Sequence, residues 1–344
     1  MKIAFFDTKP YDRIWFDVLA AEYRYEIKYY EYRLNRDTAF LARGYDAVCA
    51  FVNDIVDAET IDVLHQGGVG AIVLRSAGYN HVDFKAAFGK IHVMRVPSYS
   101  PEAVAEHAMA LLLSVNRKTH RAFSRTRDFN FSINGLMGSN LHEKVCGVVG
   151  TGKIGRCFIN IARGFGMEVV AYDPYPIEGA DWRYVELDEL FEKSDVISLH
   201  CPLTPDTKHL VNAQSIAKMR EGVMIVNTSR GALVDTEALI EGLKEKHIGG
   251  AGLDVYEEEE EVFFEDLSNE IPEDDHLARL LTFPNVLVTS HQAFFTREAM
   301  QAIAITTMEN LYAYESGGAL VNEICYQCDK KGHCEVKEGV GKCF

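Results

Sequence analysis

The segment VCGVVGTGKIG, residues 145–155, decides the fold. Its first five residues are short, apolar and partly β-branched, which reads as a buried strand ending at Val149. Gly150-Thr151-Gly152-Lys153-Ile154-Gly155 then has the spacing G-x-G-x-x-G, and a helical pattern runs from Ile154 to Phe165. A lone match to that spacing means little; a strand before it and a helix after it supply the context it needs. Gly150 allows the tight turn, Gly152 lets a pyrophosphate approach, and Gly155 lets helix and strand pack closely. The helix N-terminus then offers unpaired N–H groups to phosphate.

The next apolar run, EVVAY, ends at Tyr172, and Asp173 follows it, twenty-three residues after Gly150. A carboxylate there accepts from both ribose hydroxyls of NAD and repels a 2′-phosphate. Pro174-Tyr175-Pro176 comes next with no arginine beside it, so NAD is expected over NADP.

Further runs of the same kind are VISLH ending at His200, MIVN at Asn227, AGLDV at Val255 and VLVTS at Ser290. The first five ends (149, 172, 200, 227, 255) lie 23 to 28 residues apart, about one strand–helix unit. Such alternation implies an α/β domain, a doubly wound parallel sheet of Rossmann type with helices on both faces. Toward the N-terminus IAFF, AVCAF, AIVL and HVMRV read as strands and residues 58–66 as a helix. This is a second, smaller, flavodoxin-like α/β domain. A helix over 102–115, introduced by Pro101, leads out of it. A helix over 297–316 leads back, so the smaller domain is discontinuous. The expected boundaries are 1–100 with 299–324 for the smaller domain and 101–298 for the larger. Residues 117–131 alternate basic and aromatic side chains, which suits a partner-facing arm or a solvated surface helix. The acidic stretch 257–275 interrupts the spacing and reads as an insertion at the sheet edge, mostly solvated.

With 344 residues, 47% hydrophobic and 25% charged, the chain is globular and long enough for two domains. A net charge of −16 repels phosphate backbones, so no nucleic-acid partner is expected. The longest apolar stretch, 108–115, is too short for a bilayer, and the run before Asp7 is too short for a secretion signal. Cys49, Cys146, Cys157 and Cys201 are scattered through apolar segments, as free thiols are. The expectation is a soluble, cytoplasmic protein with no membrane partner.

In an open parallel sheet, ligands bind beyond the carboxyl ends of the strands. Arg230 follows MIVNTS, Glu259 follows AGLDV by a few residues, and His291 follows VLVTS directly. A cation, a carboxylate and an imidazole thus meet the edge that holds the dinucleotide. A 2-oxo acid requires these types. Its carboxylate suits the planar fork of Arg230. Its carbonyl oxygen gains charge as hydride arrives and needs a proton donor such as His291. A neighbouring carboxylate orients the imidazole and favours its protonated form. Chemistry alone does not single out Glu259 from the run of glutamates at 257–261.

GTGKIG, HCPLTPDT, VNTSRGALVDT, GLDVYE and SHQAF together resemble the D-isomer-specific 2-hydroxyacid dehydrogenases. RSAGYNHVD, VPSYSPEAVAEHA, NRKTHRAFSRTRDFNF and VFFEDLSNE narrow the resemblance to the fermentative D-lactate dehydrogenases of bacteria, over residues 2–324. The resemblance implies reversible reduction of pyruvate to D-lactate by NADH. It implies Arg230 as substrate clamp, Glu259 as the acid partner, and His291 as proton donor and acceptor. Implied cofactor contacts are Lys153, Ile154, Asp173, Cys201, Pro202, Thr207, Thr228, Ser229, Arg230 and Asp254. Ser76, Ala77, Gly78 and Tyr99 are implied on the substrate side, beside Arg230 and His291. No metal is implied in the site, and a homodimer or homotetramer is. Two alternatives stay open: a bulkier 2-oxo acid as substrate, and an NAD(H)-regulated binding module like the C-terminal-binding corepressors of the same family.

The tail, 325–344, departs from the pattern. Cys325-x2-Cys328-x4-His333, then Cys334 and Cys343, resembles a zinc knuckle in its first three positions only. Zinc ligation, oxidation-responsive thiols and a disordered tail all stay open.

Overall fold

The computed structural model describes residues 1–259, 264, 266–270, 273–324 and 326. The tail cysteines and His333 lie outside the described residues. The chain divides into two compact units, Met1–Ser100 with the chain from Thr296 onward, and Pro101–Phe295. The return falls at Thr296, not at 299, where the Thr296 side chain caps the helix Arg297–Glu315 by accepting from the Ala299 N–H.

The first unit holds β1 (Lys2–Phe5), β2 (Glu26–Tyr29), β3 (Ala47–Ala50), β4 (Ala71–Leu74) and β5 (His92–Arg95). They form one parallel sheet in the order β2-β1-β3-β4-β5. That is the flavodoxin-like order. Every residue of β3 and β4 is buried, which explains their unbroken apolar sequences. β2 escapes the sequence reading because it is an edge strand whose Glu26 and Lys28 face water.

The second unit holds β6 (Val145–Val149), β7 (Glu168–Tyr172), β8 (Arg183–Tyr184), β9 (Val196–Leu199), β10 (Val223–Asn227), β11 (Ile248–Leu253) and β12 (Val286–Val288). All pair in parallel, in the order β12-β11-β10-β9-β6-β7-β8. The winding direction reverses between β6 and β9, so the carboxyl ends of these two strands border a crevice. One face packs Leu111, Leu112, Phe158 and Ile159 against Val148 and Val169. The other packs Leu190, Leu239 and Leu243 against Ile197 and Ile225. Glycines in β11 let the helix Pro101–Arg117 lie directly on the sheet: a Cβ at Gly252 would sit 2.9 Å from Leu111 Cβ.

Two elements end sooner than their patterns suggest. In the basic and aromatic stretch Arg117 ends the preceding helix and a separate helix spans only Thr119–Arg127, because Lys118 and Phe129 take positive φ on either side. β12 stops at Val288 because Thr289 turns its hydroxyl to Asp254. No helix of the described residues is long and apolar enough to cross a membrane.

Candidate active site

At the end of β6, Gly150 takes φ +93°, and a Cβ there would meet the His200 carbonyl at 2.6 Å. A Cβ on Gly155 would fall 2.0 Å from the Gly150 oxygen, so the helix Lys153–Gly164 starts against the loop's own backbone. A Cβ on Gly152 meets nothing within 4 Å, which leaves that face of the loop open to a ligand. No side chain caps the helix, so its first N–H groups point into the same space. Gly155→Ala therefore reverses the usual helical preference for alanine. Overpacking of this kind costs about 1–3 kcal/mol. Thermal unfolding should show a lower Tm and titration a weaker NADH affinity; a higher Tm with unchanged affinity would contradict the packing.

Asp173 sits just past β7. One of its oxygens accepts from the Thr151 N–H at 2.7 Å and hydroxyl at 3.0 Å; the other accepts from the Tyr175 N–H at 2.9 Å. The acid thus holds the glycine loop in place. Sequence reasoning missed the companion Tyr184, whose hydroxyl lies 2.9 Å from that of Thr151. Its two-residue strand, β8, is too short to leave a pattern.

Beyond β9, burial pushes the Cys201 thiol up to about 11, so it stays neutral. Its carbonyl accepts from the Ser229 hydroxyl at 2.6 Å. Thr207 closes the following turn by donating to the Pro202 carbonyl at 2.7 Å. Beyond β10, the Thr228 hydroxyl is buried with no hydrogen-bond partner among the described residues. A buried orphan of that kind fits a site for a polar ligand. The open glycine face, the uncapped helix and this orphan hydroxyl together suit a dinucleotide.

Arg230 follows in extended conformation, its Nη1 on the Ser229 carbonyl at 2.7 Å and its own carbonyl accepting from Asn227 Nδ2 at 2.8 Å. Among the described residues its guanidinium pairs with no carboxylate. A Cβ on Gly231 would meet the Tyr256 carbonyl at 2.0 Å, so the loop after β10 is pressed on the loop after β11.

That second loop resolves the glutamate run. Glu257 binds His209 Nε2 at 2.6 Å, whereas Glu259 places Oε1 2.8 Å from His291 Nδ1. The other oxygen of Glu259 accepts from the Tyr256 N–H at 2.9 Å. A carboxylate only accepts, so a proton lies on His291 Nδ1 and Nε2 is the nitrogen left clear of Glu259. His291 has φ +51°, a left-handed conformation that costs of order 1 kcal/mol or more in a non-glycine residue. Asp254 holds the turn: its carbonyl accepts from the His291 N–H, and its carboxylate from the Gln292 and Ala293 N–H groups. Burial alone would push the Asp254 carboxyl up; hydrogen bonds from His107, Thr289, Ala293 and Gln292 outweigh it and hold the carboxyl below the ordinary range.

In the first unit, the loop after β4 is braced from within. The Ser76 hydroxyl donates to the Gly78 carbonyl at 2.8 Å, and Arg95 donates to the Ala77 carbonyl at 2.8 Å. Beneath it, buried Arg75 lies between the rings of Phe5 and Phe51, 4.6 and 4.5 Å from their centroids. Tyr99 is half-buried beyond β5.

The second unit therefore pairs a phosphate-receiving glycine loop with a cation, a carboxylate and an imidazole at the carboxyl edge of one sheet, the organisation of a hydride-transfer dehydrogenase. The chain belongs to the D-isomer specific 2-hydroxyacid dehydrogenase family, whose NAD binding domain matches residues 109–293. It is 48% identical over 329 residues to the D-lactate dehydrogenase of Escherichia coli, covering 94% of this chain and 100% of that one. A solved structure identified as the pyruvate reductase of Chlamydomonas reinhardtii superposes with TM-score 0.89 at 43% identity, covering 94% and 98% of the two chains. The NAD-complexed D-isomer specific 2-hydroxyacid dehydrogenase of Lactobacillus delbrueckii ssp. bulgaricus gives TM-score 0.82 at 28% identity, covering 94% and 100%. The chain is an oxidoreductase of this family, and its cofactor is NAD.

Proposed function

We propose that this chain is an NAD-dependent D-lactate dehydrogenase, reducing pyruvate to D-lactate and running the reverse reaction. The Glu259–His291 pair, 2.8 Å apart beyond β11 and β12 of the sheet whose β6 ends in the glycine loop, carries the proposal. NADH supplies the hydride to the carbonyl carbon. Arg230 clamps the pyruvate carboxylate through two parallel N–H donors. For reduction His291 carries a proton on each nitrogen: Nδ1–H is held by Glu259, and the Nε2 proton passes to the carbonyl oxygen, leaving the neutral ring. Lys153, Ile154, the 201–207 loop, Thr228, Ser229 and Asp173 hold the dinucleotide, with Asp254 behind them. Ser76, Ala77, Gly78 and Tyr99 are the first unit's proposed substrate contacts. An NADH-oxidation assay tests the reading: kcat/KM should be higher for pyruvate than for phenylpyruvate. Preference for the bulkier acid, or tight NADH binding without turnover, would reject it.

Asp173→Ala should narrow the preference for NADH over NADPH, because the carboxylate that repels a 2′-phosphate is gone. Comparing kcat/KM for the two cofactors measures this; an unchanged preference would assign the ribose to another group.

We also propose a homo-oligomer, a dimer or tetramer, built on the second unit. Phe123, Phe129, Phe131, Ile133 and Met137 are all at least 63% exposed along one stretch of chain. Apolar groups gathered in this way suit an interface. Sedimentation velocity reads the state directly, and a monomer would reject the proposal. Four free thiols in the body, Cys49, Cys146, Cys157 and Cys201, suit a reducing cytoplasm.

A further inference from the structure

We infer that His107, on the helix Pro101–Arg117, is a positioning residue for His291, acting through Thr289 and Asp254. The inference rests on His291 being the proton donor.

Three consecutive backbone N–H groups, those of His291, Gln292 and Ala293, bind one residue, Asp254, at 2.7, 2.9 and 2.7 Å. The first ends on the Asp254 main-chain carbonyl and the other two on its carboxylate, so the residues that follow the left-handed turn are held by the Asp254 side chain. Asp254 is fully buried, so its carboxylate keeps its place only while donors satisfy it. The Thr289 hydroxyl lies 2.5 Å from Asp254 Oδ1 and spends its single proton there. Its oxygen is then free only to accept, and it lies 3.1 Å from His107 Nε2. The same nitrogen lies 3.3 Å from Asp254 Oδ1. The network thus puts a proton on His107 Nε2, aimed at both oxygens.

The helix has no freedom to withdraw this donor. Gly252 brings β11, which leads into Asp254, against Leu111, one turn along the helix from His107. Without the Nε2 donor, Asp254 Oδ1 loses one of its donors, and the Thr289 hydroxyl that also serves it loses the group that fixes its direction. The turn at 291–293 then loses its fixed centre. A small misplacement of a proton donor is costly, because catalysis depends on near-attack geometry.

The experiment compares His107→Leu with His107→Gln, whose Nε2 donates from a similar reach. The leucine variant should lose about tenfold or more in kcat for pyruvate reduction, while the pyruvate KM and the NADH affinity by fluorescence titration change by less than about threefold. The glutamine variant should recover kcat to within about threefold of wild type. Full kcat in the leucine variant would overturn the inference. So would a folded, NADH-binding glutamine variant as slow as leucine, since ring shape and not the donated hydrogen bond would then matter. Should His107→Leu fail to fold, Thr289→Val against Thr289→Ser makes the same comparison, with the loss expected in valine only and equal rates overturning it. Wild-type protein inert toward pyruvate would sink the functional reading itself; active wild type beside an unimpaired His107→Leu sinks only the role of His107.

Discussion

Replacing His291 with alanine is expected to lower kcat for pyruvate reduction by about 10²–10⁴, the range for a lost general acid. Glu259 occupies the imidazole's Nδ1 at 2.8 Å, so Nε2 is the nitrogen left clear of it. The backbone tolerates a left-handed residue at 291 for the sake of that direction. Alanine keeps the Cβ and removes the proton donor, so NADH binding should survive. Steady-state assays with NADH saturating, beside a fluorescence titration of NADH, separate the two effects. Unchanged turnover would remove His291 from the reaction.

Arg230→Lys should reduce kcat/KM for pyruvate by about 10–10²-fold, with KM and kcat both worse. A guanidinium offers a carboxylate two parallel donors, and an ammonium offers a point charge. The loss corresponds to one charge-assisted hydrogen bond, about 1.5–3 kcal/mol. The fork is well prepared. Its backbone is tied by Asn227, its Nη1 by the Ser229 carbonyl, and the neighbouring Gly231 is packed on Tyr256 too closely for any Cβ. Wild-type kinetics in the lysine variant would mean that the substrate carboxylate sits elsewhere.

What could be read in advance followed from burial. The strands of both sheet interiors announce themselves because both of their faces are covered, and the glycine loop because strand, turn and helix must meet without Cβ atoms. The edge strands β2 and β8 were hidden for the converse reason: a half-solvated or two-residue strand has no apolar run. Arg230 and His291 stood out as ionisable residues directly after apolar runs. Glu259 could not be separated from its neighbours by chemistry, because only the turn between Tyr256 and Glu259 decides which carboxylate turns toward His291. His107 and Thr289 were illegible as a pair, since 182 residues separate them. One signal was available: a buried aspartate after a glycine-rich strand requires donors from somewhere. VAEHA, on a helix that small residues allow to touch that strand, was the place to look.

Incubating the protein with pyruvate and NADH and resolving the product on a chiral column tests the central claim most directly. D-lactate should form in step with NADH loss, one molecule for each NADH consumed. L-lactate, or NADH left unconsumed with pyruvate present, would contradict the account.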